Sequence, residues 1–145
     1  MKILKLSLIA TTLLLSGCAN FDSKLTASND VNPDINGEPS PIAITVFELS
    51  DPISFEAASF VSLYTDPQSV LGTTLLAQKS IVLAPGETRE VSLPINKKAT
   101  YLGYIAAYRN LQSAAWQAMV PVSTKGILGQ TIHLNVNASG VSVQN

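Results

Sequence analysis

Short runs in which apolar and polar residues alternate, each followed by turn residues, recur along most of this 145-residue chain. In Thr131–Val136, for example, every second side chain is apolar, which indicates a strand with one buried and one solvated face. Sequential strands joined by short turns favour a mainly β fold, an antiparallel β-sandwich of two four-stranded sheets. We predict about eight strands, over residues 23–27, 41–50, 75–83, 88–93, 101–108, 115–122, 131–136 and 141–143.

The second predicted strand is apolar on both faces. Ile42, Ile44 and Val46 share one face, while Phe47 and Leu49 point to the other. A strand of this kind needs cover on both sides. We expect the second sheet to cover one face and a helical segment to cover the other.

The segment that follows this strand departs from strand periodicity. Asp51 can cap a helix whose first turn holds Pro52, and Asp66 can cap a second short helix that Gly72 ends. We therefore predict a small helical insertion over about residues 52–71.

The first 17 residues have the pattern of a secretory signal. Lys2 and Lys5 flank the start of an apolar run over residues 6–15, which is roughly half of the about 20 residues that a transmembrane helix needs. The only cysteine follows, in Leu15-Ser16-Gly17-Cys18. This stretch resembles the bacterial lipobox.

The lipobox resemblance implies that Cys18 receives a diacylglycerol, that the chain is cut just before it, and that the new amine is acylated. We predict a lipoprotein signal peptide over residues 1–17, a lipidated tether over 18–22 and one domain over 23–145. By the same resemblance, Ala19 in place of an aspartate implies delivery to the outer membrane. An ordinary cleavable signal that happens to end near a cysteine is the alternative.

Composition and motifs indicate a protein without catalytic or metal chemistry. Loss of Lys2 and Lys5 with the signal changes the formal net charge from −1 to −3, which disfavours a nucleic-acid partner. The single histidine, His133, lies on a predicted strand without a nucleophile motif, and no metal-ligand spacing or phosphate loop occurs. We predict no enzyme activity, no catalytic residue, no metal and no cofactor other than the covalent lipid.

Two groups of residues can be interpreted either as a functional site or as residues that only stabilise the fold. Glu87 and Glu90 flank Arg89 in a hairpin, where an exposed ion pair is favoured over an acid–base pair. Trp116 and three tyrosines could line a sugar site, but their positions on strands favour packing in the core. These tyrosines are Tyr101, Tyr104 and Tyr108.

A loop of about 14 residues, 28–41, joins the first two predicted strands. It holds Pro33, Pro39 and Pro41, and its Asn36-Gly37 pair readily adopts positive φ. Loops of this length without secondary structure are usually functional or disordered. A binding loop and a flexible spacer are the two interpretations.

Two long stretches are similar to the type VI secretion lipoprotein family TssJ, also called SciN or VasD. The first is NPDINGEPSPIAITVFELSDPISFEAASFVSLYTDPQSVLG, and the second is LAPGETREVSLPINKKATYLGYIAAYRNLQSAAWQAMVPV. Together with the lipobox, they extend the resemblance over about residues 25–143. The resemblance implies a transthyretin-like sandwich with an added helical part.

The resemblance also implies a role. Members of this family are anchored in the outer membrane and extend into the periplasm. There they bind the periplasmic domain of TssM, an inner-membrane protein. TssM works with TssL in one membrane complex. The implied contact is the loop between the first two strands, with Val31 and Ile35 as apolar anchors. The loop comprises Asn29, Asp30, Val31, Asn32, Pro33, Asp34, Ile35, Asn36, Gly37, Glu38, Pro39, Ser40 and Pro41.

A periplasm-facing lipoprotein that binds a small ligand is the alternative function. A deep apolar cavity lined by Phe55, Phe60 and Tyr104 would favour it. We expect no small-molecule substrate, and a second partner contact near residues 125–128 is left open.

Overall fold

The computed structural model describes residues 19–125 and 130–144. The predicted signal peptide and Cys18 therefore lie outside the described residues, as do residues 126–129. The described residues form eight strands: β1 (Asn20–Ala27), β2 (Ile42–Leu49), β3 (Leu75–Leu83), β4 (Thr88–Pro94), β5 (Tyr101–Ala106), β6 (Gln117–Pro121), β7 (Thr131–Val136) and β8 (Val141–Gln144). Over these residues, no helix is long and apolar enough to cross a membrane.

The strands form two four-stranded sheets, in the orders β4-β1-β7-β8 and β3-β2-β5-β6. The main core lies between them and includes Phe21, Leu25, Ile44, Leu102 and Leu134. This arrangement confirms the predicted mainly β sandwich.

One pair of strands is not antiparallel as predicted. β1 runs parallel to β7, with Asp22 opposite Thr131 and Ala27 opposite Val136. A parallel pair cannot be joined by a tight turn. Here most of the chain, including the whole second sheet, lies between the two strands and makes the crossover.

Three short helices cover the outer face of β2, rather than the two that the caps predict. They are α1 (Ile53–Ala57), α2 (Phe60–Thr65) and α3 (Pro67–Leu71), and a 3₁₀ turn follows over Gly72–Thr74. The break between α1 and α2 occurs because Ala58 and Ser59 are extended, and the Ser59 side chain caps α2. Phe47 and Leu49 lie beneath these helices, in a second core cluster with Phe55.

The first strand begins earlier than predicted, at Asn20 instead of Ser23. Phe21 is buried in the main core, and the N–H of Ile95 donates to the Ala19 carbonyl oxygen over 3.2 Å. Because Phe21 is buried, residues 20–22, which the sequence predicts to be part of a tether, belong to the folded domain. The domain therefore begins directly after Ala19.

At Gly103 the helical insertion packs directly against the backbone of β5. A Cβ atom there would lie 2.6 Å from Cζ of the fully buried Phe55 ring. We expect Gly103→Ala to lower the free energy of unfolding by about 1–3 kcal/mol, the usual cost of overpacking a core. Urea unfolding measures this loss. In a Phe55→Leu background the cost should shrink, and an equal cost there would show that the ring contact is not its cause.

Candidate partner-binding loop

The loop between β1 and β2, residues 28–41, lies at the end of the sandwich opposite to Ala19. β1 connects the two ends, and its eight residues span about 25 Å. The turn after β3, the segment between β5 and β6 and the turn after β7 lie at the same end as the loop.

The base of the loop is part of the core. Val31 is fully buried, and its backbone pairs with Ser28 and Ser40 over 3.3 and 3.1 Å. The expectation that Val31 supplies an apolar anchor for a partner is therefore wrong, because its side chain fills the sandwich end. Deletion of the whole loop would also remove this core residue, so point changes at the tip test the loop more cleanly.

Asn32 fixes how the chain enters the loop. Its φ of 48° is the left-handed conformation that asparagine tolerates better than most residues. Its side chain donates to the Pro41 carbonyl oxygen and accepts from the N–H of Arg109, each over 2.8 Å. Nε of Arg109 donates to Oγ of Ser40 over 2.9 Å, and this hydroxyl donates to the Asn32 carbonyl oxygen. These bonds tie both ends of the loop to the segment after β5.

Asp34 and Gly37 shape the tip. Oδ1 of Asp34 accepts from the N–H groups of Asn36 and Glu38 over 2.8 and 2.9 Å. Gly37 has a φ of 80° and donates its N–H to the Asp34 carbonyl oxygen. The Glu38 and Asn36 amides, with a smaller effect of the Arg109 charge, lower the pKa of the Asp34 carboxyl below its ordinary value.

Ile35 is the exposed apolar residue that this tip presents. Its side chain is 99% exposed, and the neighbouring backbone is held by the Asp34 hydrogen bonds. Asp30 and Glu38 are also exposed, so the tip combines one apolar side chain with negative charge. The predicted contact of Ile35 with a partner stays a prediction.

A groove of about 550 Å³ lies beside the loop. The loop forms one wall, and the segment after β5 and the turn after β7 form the others. Its lining residues are Asn32, Pro33, Asp34, Ile35, Tyr108, Arg109, Asn110, Ser113 and Ala138. The sequence singled out Tyr108 only as a possible sugar-site aromatic and did not single out the last four of these, because nothing in their local pattern shows that they meet a loop much earlier in the chain.

The acceptor role of Asp34 gives a pH-dependent prediction for the loop. Because its pKa is lower in the folded chain than in the unfolded one, its ionised form stabilises the tip above the ordinary aspartate pKa, and this support is lost as pH falls through the lowered value. Asp34→Ala should reduce hydrogen-exchange protection of the Asn36 and Glu38 amides severalfold at neutral pH. Asp30→Ala is the control, since among the described residues Asp30 accepts from the Ser28 side chain and from no amide of the tip. Equal protection in both variants would contradict this role for Asp34.

Of the residues in the alternative sites, Tyr108 also lines the groove beside the loop, and the others lie outside that lining. His133 is exposed on β7, Tyr104 and Tyr108 are buried in the main core, and Arg89 pairs with Glu87 over 2.7 Å at the surface. The packing interpretation of Tyr104 and Tyr108 and the ion-pair interpretation of Arg89 are thus the ones that the structure supports.

The residues expected to line a ligand cavity do not meet around one. Tyr104 is fully buried in the main core, where its hydroxyl pairs with Ser23 over 2.8 Å. Phe55 is fully buried in the second cluster, and Phe60 packs against that cluster. Sheet β3-β2-β5-β6 separates the two clusters, so these three side chains cannot form the wall of a single cavity.

Comparison with known proteins relates most of the described chain to one family. The lipoprotein Lip of Serratia marcescens, a membrane-bound component of the type VI secretion system, is 28% identical over 88% of this chain and 96% of its own, with a TM-score of 0.81. The type VI lipoprotein TssJ1 of Pseudomonas aeruginosa is also 28% identical, over 87% of this chain and 95% of its own, with a TM-score of 0.77.

A third likeness concerns the fold alone. A chain in the structure of the T6SS protein TssM C-terminal domain (869–1107) from EAEC is 18% identical over 87% of this chain and 98% of its own, with a TM-score of 0.71. No curated protein sequence gives a significant match. The family model described as type VI secretion lipoprotein, VasD, EvfM, TssJ, VC_A0113 matches residues 19–139, and the chain therefore belongs to this family of type VI secretion lipoproteins.

Proposed function

We propose that this protein is anchored in the outer membrane, faces the periplasm and binds the periplasmic domain of TssM through the β1–β2 loop. The observation that carries this proposal is the full exposure of Ile35 on a loop whose base is held by Val31, Asn32 and Arg109. A binding segment that is already ordered loses little conformational entropy when it docks. An apolar side chain presented in this way is suited to act as the central residue of a contact.

The position of the loop relative to the anchor supports the same proposal. The proposed lipid site, Cys18, directly precedes Ala19, and β1 then runs about 25 Å to the loop. Diacylglycerol and N-acyl chains on Cys18 would hold the Ala19 end at the membrane surface. The loop would then point away from that membrane, towards a protein that rises from the opposite one.

The family supports the wider assembly. This chain belongs to the family of type VI secretion lipoproteins. A chain of the same fold occurs in a structure of a TssM C-terminal domain. We infer that TssL joins TssM in the same membrane complex and that the chain acts as an anchor and not as an enzyme.

The test is binding of the purified TssM periplasmic domain to the full-length lipidated chain in detergent, measured by biolayer interferometry. We expect saturable binding in the low-micromolar range or tighter, which corresponds to about 7 kcal/mol or more of binding free energy. No binding by the wild-type chain, with its thermal unfolding intact, would overturn the proposed function.

A further inference from the structure

Several large apolar side chains are exposed on the helical insertion. Ile53 of α1 is 68% exposed, and Val61 and Tyr64 of α2 are 63% and 52% exposed. Val61 and Tyr64 are three residues apart and therefore neighbours on one helix face. Single exposed apolar residues are ordinary, but neighbouring ones such as Val61 and Tyr64 mark an interaction surface.

An aromatic ladder holds this surface in place. Tyr64 stacks on Phe60, with ring centroids 5.2 Å apart and an interplanar angle of 19°, and Phe60 meets Trp116 edge-on at 5.6 Å and 78°. Trp116 packs against both core clusters. Because the rings are already fixed, docking against them costs little side-chain entropy.

The charged side chains of the helical insertion itself have one sign. Between Asp51 and Gln78 the chain has three carboxylates, Asp51, Glu56 and Asp66, and no lysine, arginine or histidine. In the part of the chain that the structure describes, the ion pair within 4.0 Å is Arg89 with Glu87, so these three carboxylates have no cationic partner there. Asp51 and Asp66 accept hydrogen bonds from Ile53 and Ser69 within the insertion and keep their negative charge. An insertion with this charge and an exposed aromatic ring favours a cationic partner, through charge pairing and through the ring face.

We propose that this helical flank, formed by Phe60, Val61, Tyr64 and Trp116, docks a second protein through a basic and apolar surface, with a lysine or arginine side chain over Tyr64. A second copy of this chain does not fit by the same face, because the carboxylates of the two copies would face and repel each other. The flank lies on the outer side of a sheet and the β1–β2 loop lies at its end. One molecule can therefore hold a partner at each place, and this inference does not depend on the proposed function of the loop.

The test uses the full-length chain in cells that make the secretion complex. A photoreactive benzoylphenylalanine replaces Val61 in one variant and the exposed His133, on the other sheet, in a control variant. We expect one discrete protein adduct from position 61 and none from position 133. The adduct should persist with Ile35→Asp, and its loss there would overturn the idea of a separate partner.

The charge requirement is tested with the captured protein in purified form. Its affinity should fall about fivefold with Glu56→Lys and about tenfold with Tyr64→Ala, and Tyr64→Phe should retain most of it because the stacking ring remains. Binding should also weaken at about 0.5 M salt, where exposed charges are screened. The absence of an adduct, an adduct with a second copy of this chain, or an affinity that Glu56→Lys leaves unchanged would each overturn the proposal.

Discussion

Replacing Ile35 by aspartate is expected to weaken binding of the TssM periplasmic domain at least about tenfold, a loss of about 1.4 kcal/mol or more. The side chain is 99% exposed in the free chain, so the change removes no contact within the fold. In a complex, the wild-type side chain would be removed from water, which contributes about 1.5–3 kcal/mol for a residue of this size. A carboxylate at the same place would lose its hydration without a partner, and the loop already carries Asp30, Asp34 and Glu38.

Val82→Asp is the matched control for this experiment. Val82 is 55% exposed on β3. Its replacement by aspartate therefore makes the same kind of change, from an exposed apolar side chain to a carboxylate, on a different surface. Biolayer interferometry with the purified TssM domain should show a large loss for the loop variant and little change for the control, and circular dichroism should show both to be folded. Equal affinities for wild type and Ile35→Asp would remove the loop tip from the contact.

The strands follow from the sequence because their signal is local. The apolar faces of β2 show this most clearly. Ile42, Ile44 and Val46 lie in the main core, while Phe47 and Leu49 lie under the helices, as alternation predicts. The caps also locate the helical insertion, although the extended pair between α1 and α2 is visible only in the structure.

The loop geometry could not be derived in this way. The bonds that hold the base join Asn32 and Ser40 to Arg109, 77 and 69 residues away, and no pattern along the chain reports such a pairing. The sequence predicts that Asn32, Pro33, Asp34 and Gly37 set the shape of the loop, but no local pattern separates a buried base from an exposed tip. Its base is in fact core structure, and the exposed tip alone can meet a partner without unfolding.

Glu48 shows a further limit of alternation. It falls on the same face of β2 as Ile44 and Val46, so periodicity places a carboxyl in the core. The structure accommodates it at the strand end, where Oε1 accepts from the Asn96 N–H over 2.7 Å. Burial, partly offset by this hydrogen bond, raises the pKa of the Glu48 carboxyl.

Replacing Cys18 by serine is expected to release the protein from the membrane completely. A serine hydroxyl cannot take the place of the thiolate that the lipid-transferring chemistry requires. Each buried acyl methylene contributes about 0.8 kcal/mol, so three chains contribute on the order of 30 kcal/mol and nothing else in the proposal replaces them. Labelling with a radioactive fatty acid should disappear, and the protein should move from the membrane pellet to the soluble fraction.

Ala19→Asp is the matched control, because it leaves Cys18 in place. It should keep the fatty-acid label and the membrane association while moving the protein to the inner membrane, as the resemblance to lipoprotein sorting implies. The short distance between Cys18 and β1, which begins at Asn20, makes the comparison informative about orientation. A lipid on the inner membrane would point the β1–β2 loop outwards, away from the membrane in which TssM is held, so secretion should fail in both variants although only one loses its lipid. A Cys18→Ser protein that still sediments with outer membranes would show that something other than the lipid anchors this chain.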